Sequence, residues 1–152
     1  MAPLRNDLGD VAVAISTLTE VQEELPDPRW ARTQKGNYHR LLHLDPEANG
    51  LTKANGVYVV WHGGINPGWI FIGRSADLAQ TFHQTADDEE VMAYDIRGGI
   101  FVTWALIKPE FQDGVVHYLN ATLRPKIKND DDGSKKTAPV PVLPPRPKSA
   151  SR

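Results

Sequence analysis

The stretch from Gly56 to Phe82, GVYVVWHGGINPGWIFIGRSADLAQTF, constrains this chain more than any other part of it. Two runs rich in β-branched and aromatic residues flank a turn of glycine, asparagine and proline. Such side chains fit a pleated surface, so GVYVVW reads as a strand, HGGINPG as a turn and WIFIG as a second strand. In SADLAQTFHQT, Ser75 stands as an N-cap, and Leu78 and Phe82, four apart, share one side of a helix. GIFVTWALI, residues 99 to 107, is a third strand, apolar enough to be central or well covered. FQDGVVHYLNATL, residues 111 to 123, reads as a helix that Pro125 ends. The fold class is α/β, of the α+β kind.

The flanks are of a different character. Leu4, Leu8, Val11, Ile15, Leu18 and Val21 recur at three- and four-residue steps, which predicts an added N-terminal helix stopped by Pro26 and Pro28. Residues 29 to 55 are mixed, with a short helical segment expected around YHRLLHL, and Trp30, Tyr38, Leu41 and Leu42 suggest packing. Residues 1–53 are therefore expected to pack on a domain spanning 54–129. The tail, 130–152, has five prolines in its last 14 residues and almost no large apolar groups. It is expected to be disordered or polyproline-like.

Net charge is −2, divided into −4 over residues 1 to 129 and +2 over the tail. This is not the balance of a dedicated nucleic-acid binder, so such a role needs a local basic cluster. The absence of cysteine excludes disulfides, thiolate metal sites and cysteine nucleophiles. His39, His43, His62, His83 and His117 remain as possible ligands or bases. No window approaches 18 consecutive apolar residues, and the first ten residues lack an apolar signal core, so no membrane span and a cytoplasmic location are expected.

Gly-Val-Tyr on the first strand, Phe-Ile-Gly on the second, a helix opening with GRSADL, a third strand, and a helix ending in LRPKIKN together resemble the GIY-YIG nuclease superfamily. The resemblance spans residues 54 to 129 and implies a three-stranded antiparallel sheet flanked by helices. It also implies phosphodiester hydrolysis assisted by one divalent metal: a first tyrosine activates water, a second tyrosine and a helix arginine hold the phosphate, and a later glutamate binds the metal. A hard cation such as Mg²⁺ wants carboxylate oxygen, and developing phosphate charge wants a fixed cation.

Carried over by position, the first tyrosine falls on Tyr58. The second falls on Phe71, which keeps the ring and loses the hydroxyl. The helix arginine falls on Thr81, and the glutamate on Val116, which is expected to face the groove between the strands of Tyr58 and Phe71. The substitutes within reach are Arg74 for the phosphate, Asp113 or His117 for the metal, and His83 or His117, with Tyr58, for base chemistry. Asp113 also reads as an N-cap of its helix. Three of four roles are degraded, so the resemblance implies a catalytically inactive pseudo-nuclease serving as a binding or structural module, with no cofactor. Its partner is nucleic acid, through Arg74, Arg124, Lys126 and Lys128, or a protein, through the proline-rich segment 139–148. The acidic run Asp87 to Glu90 opposes the first and is most simply a solvated loop or helix end. The alternative is an active DNA endonuclease using Mg²⁺ or Mn²⁺ with those substitute ligands.

Overall fold

The computed structural model describes residues 25–147, which form a mixed α/β domain around one antiparallel sheet. Its strands are β1 (His39–Arg40), β2 (Gly56–His62), β3 (Gly68–Ser75) and β4 (Ile100–Ala105). The order is β1-β4-β2-β3. The helices are α1 (Leu78–Ala86), the single turn α2 (Glu89–Met92) and α3 (Pro109–Leu123).

The sheet has four strands where three were expected. The extra one, β1, pairs His39 with Val102 and Arg40 with Phe101, along the side of β4 that would otherwise be a bare edge. It comes from the stretch read as helical, of which only Leu41–His43 makes a 3-10 turn. The predicted helix over residues 4–24 lies outside the described residues. Residues 25–53 do pack on the sheet: Trp30, Leu41 and Leu51 are buried, and the Ala31 amide donates to Trp104 O at 2.9 Å.

All seven residues of β2 are buried because the sheet is covered on both faces. Tyr58 and Val60 pack with Leu78 and Phe82 of α1, and Val57, Val59 and Trp61 pack with Val115, Val116 and Leu119 of α3. Each such apolar side chain, fully withdrawn from water, contributes about 1.5–3 kcal/mol. Gly56 allows β2 and β4 to approach: a Cβ there would lie 2.5 Å from Ala105 O.

The cap of α1 is Asp77, two residues after the expected Ser75. Its carboxylate accepts the Gln80 amide at 3.2 Å, while Ser75 Oγ accepts the Asp77 amide at 2.9 Å. At the far end of α3, Arg124 turns left-handed (φ 50°), and Pro125 prevents continuation. The chain then runs beside the free edge of β3, where the amides of Lys126 and Ile127 donate to Trp69 O and Ile70 O at 3.1 and 2.9 Å.

Residues 130–147 depart from the expectation of disorder. Their prolines remove donors, and the amides of Val140, Leu143 and Arg146 find acceptors on Gly114 O, Pro26 O and Tyr38 Oη at 2.9, 2.9 and 3.0 Å. The Trp30 indole N–H donates to Leu143 O at 2.7 Å, and Val142 and Pro145 are buried. Gly114 makes room on α3, since a Cβ there would meet Val140 Cγ2 at 2.4 Å. Among the described residues no helix is long and apolar enough to cross a membrane.

Candidate functional site

The β2–β3 register sets Tyr58 opposite Gly73 and Val60 opposite Phe71, so the Tyr58 and Phe71 rings share one face, with centroids 6.0 Å apart. Helix α1 crosses that face and brings Thr81 to them. Tyr58, Phe71, Thr81, Gln84, Asp88 and Ile127 help to line a cavity of about 260 Å³. The glycine of Phe-Ile-Gly eases the packing here: a Cβ on Gly73 would come 3.1 Å from Tyr58 Oη and 3.2 Å from Asn129 Nδ2, so those side chains would have to give. Three positions separated by up to 23 residues in the chain thus meet in one place.

Tyr58 is 7% exposed, and burial pushes its phenol up to about 12. Among the described residues no group hydrogen-bonds its hydroxyl. Thr81 Oγ1 lies 2.6 Å from Ser75 Oγ, so a neutral hydroxyl pair stands where the resemblance asks for a cation. Asp88 is the one carboxylate among the cavity residues, and it caps α2 by accepting the amides of Glu90 and Val91 at 2.9 and 3.3 Å. Of the rest of the acidic run, Glu89 and Glu90 stand in the first turn of α2, where the helix dipole favours them, and Asp87 is the C-cap of α1 through its backbone amide. The charge of the run repels phosphate from this cavity.

The remaining candidates lie elsewhere. Val116 is fully buried beneath α3, on the opposite face of the sheet from Tyr58, and not in the groove expected for it. Arg74 pairs with Val57 in register, which sends it to that same opposite face. There its Nε lies 2.8 Å from Asp113 Oδ1, an ion pair without the alignment of a hydrogen bond. Asp113 sits inside α3, neither an N-cap nor beside the cavity. His83, exposed on α1, holds the Glu47 carboxylate at 2.9 Å.

His117 donates from Nδ1 to Thr137 O at 2.8 Å. His62 is buried, donates from Nδ1 to Gly63 O at 3.1 Å, stacks on Tyr94, and leaves Nε2 without a partner. His39 stacks on Trp104, and burial pulls its pKa below the ordinary histidine value. No group of three or more His, Asp or Glu among the described residues could hold a metal ion. A hard divalent cation needs several oxygen ligands. The Tyr58 cavity offers one carboxylate that is already engaged, so the residues present do not fit Mg²⁺ or Mn²⁺.

Arg124, Lys126 and Lys128 alternate along the segment beside β3 and are all exposed, while Pro125, Ile127 and Asn129 turn inward. Asn129 Nδ2 donates to Ile72 O at 2.9 Å, so this side chain pins the segment after α3 to the sheet. A second basic region, around Arg32 and Tyr38, escaped the motif-led reading. Its signal is a run from 28 to 44 with four Arg or Lys and no acidic residue. No family model, no curated protein and no solved structure matches the chain.

Proposed function

We propose that this chain is a GIY-YIG-like domain that has lost phosphodiester chemistry and serves as a binding module. One observation carries the reading. Tyr58, Phe71 and Thr81, far apart in sequence and singled out by the motif, line one cavity, yet that cavity holds neither the cation nor the free carboxylate that the chemistry needs. A phenol held near 12 is a poor base at neutral pH. The exposed strip Arg124, Lys126 and Lys128, beside the same β3, is the surface we assign to a phosphate-bearing partner. Arg74 is excluded from that strip by its pairing with Asp113. The tail is a weaker route to a protein partner, because its amides and buried side chains are engaged by its own domain.

An active endonuclease has no specific support: Asp113 and His83 each hold another partner, and neither lines the cavity. Titration of the full chain with Mn²⁺, followed by electron paramagnetic resonance, tests the reading. It predicts no saturable site in the low-micromolar to high-micromolar range. A saturable site that Asp88→Asn removes would sink it.

A further inference from the structure

The strongest feature outside the Tyr58 cavity is a basic surface at the other end of the sheet order. The segment 28–44 carries Arg29, Arg32, Lys35 and Arg40 without one carboxylate, in a chain whose net charge is −2. The fold adds a fifth cation. The tail returns to this place, and the Arg146 amide is fixed on Tyr38 Oη at 3.0 Å. Three recesses of about 640, 380 and 420 Å³ adjoin here and share Arg32 and Tyr38. Asp27 is the one acid among the described residues that line them.

Two of these cations are held over rings. The Arg32 guanidinium lies 4.2 Å from the Tyr38 centroid and donates to Tyr38 Oη and Gly36 O at 2.8 and 3.0 Å. Arg40 lies 5.7 Å from the Phe101 centroid. The rings are themselves set: Tyr38 meets Trp61 edge-on at 4.9 Å, and Trp61 stacks on Phe101 at 6.0 Å. Tyr38 and Phe101 are half-buried, and Arg32 and Arg40 exposed. Ordering these side chains in advance lowers the entropy cost of binding.

We propose that this surface, centred on Arg32, Tyr38 and Arg40, is a binding site for single-stranded nucleic acid. Cations alone would serve any polyanion. Half-exposed rings and ring-held guanidinium planes between them are what an unpaired base stacks on, while exposed arginine and lysine meet the phosphates. A carboxylate-bearing peptide uses the cations and leaves the planes idle. The site lies beside β1, across the sheet from the Arg124–Lys128 strip beside β3. It rests on the binding-module half of the reading above and not on the family resemblance.

The test is fluorescence anisotropy of a labelled 15-nucleotide oligothymidylate with the full chain at low salt. The wild type should bind, with affinity falling by about 0.7 log unit per phosphate contact for each log unit of salt. Arg32→Glu with Arg40→Glu should weaken binding at least tenfold, while Lys108→Glu with Lys135→Glu, the same change of charge at exposed residues of neither basic surface, changes it less than threefold. Circular dichroism melts establish that both variants are folded, and Arg32→Gln, which keeps a planar polar group, provides a milder comparison if the reversal does not fold. Binding that Lys126→Glu with Lys128→Glu abolishes and Arg32→Glu with Arg40→Glu leaves intact would leave the proposed function standing and overturn this site. Absence of wild-type binding, or displacement by polyglutamate as readily as by unlabelled oligonucleotide, would overturn the site as well.

Discussion

A phenol that activates water must surrender its proton near the pH at which it works. Tyr58 is arranged for the opposite, because burial without a hydrogen-bond partner disfavours the phenolate. The sign of the consequence follows. Below about pH 10 the folded and unfolded states both hold the proton. Between the ordinary value of 10.0 and about 12 only the unfolded chain ionises, so stability falls as pH rises. Denaturant melts at about pH 9 and 11.5 should show wild type losing roughly 2 kcal/mol more than Tyr58→Phe; equal losses would mean that the phenol is not buried. Val116 gives the second prediction at this scale. Placing there the glutamate that the resemblance expects introduces an unpaired charge into the core under α3 and should cost at least about 3 kcal/mol, seen as a lost or strongly lowered thermal transition, with no gain of nuclease activity. A stable, active Val116→Glu protein would contradict the placement.

Among the elements, β2, β3, β4, α1 and α3 were legible because their apolar patterns and turn residues agree with their final surroundings. What could not be read was which face each side chain takes. Val116 and Tyr58 differ by the side of the sheet on which α3 packs, and nothing in the spacing before Pro125 encodes that. The α1 cap was misplaced because Ser75, Asp77 and Thr81 are all competent hydrogen-bonding residues, and only the fold assigns Ser75 to Thr81. The two-residue β1 is too short to show a period, and it exists because β4 offers an edge. Close approach of β2 to β4 makes Gly56→Ala a test at this scale. Overpacking against Ala105 O should cost about 1–3 kcal/mol in urea melts, whereas an exposed glycine such as Gly50, with φ of +75°, would respond through backbone strain alone.

At the scale of the whole molecule, charge is partly segregated among the described residues, although Asp132 lies close to Arg124 and Lys128. Acidic helix ends gather near the Tyr58 cavity, and basic residues gather beside both edge strands. The overall charge of −2 conceals these local basic clusters, on which the proposed partner depends. The tail shows the same limit of composition. Five prolines and few large side chains read as disorder, because the partners of its backbone, the Trp30 indole and the Tyr38 hydroxyl, lie more than a hundred residues earlier. Hydrogen exchange should find the amides of Val140, Leu143 and Arg146 protected. Trp30→Phe, which removes the indole donor, should lower that protection and cost about 1 kcal/mol. Unprotected amides in the wild type would mean that the tail is free.

The central claim, a nuclease-like cavity without nuclease chemistry, is tested most directly by cleavage of labelled plasmid and branched DNA. The full chain is used in large excess with Mg²⁺ or Mn²⁺, beside Tyr58→Phe. The account predicts no cut product above the metal-only control from either protein. Cleavage by wild type that Tyr58→Phe abolishes would contradict it and make the cavity an active site.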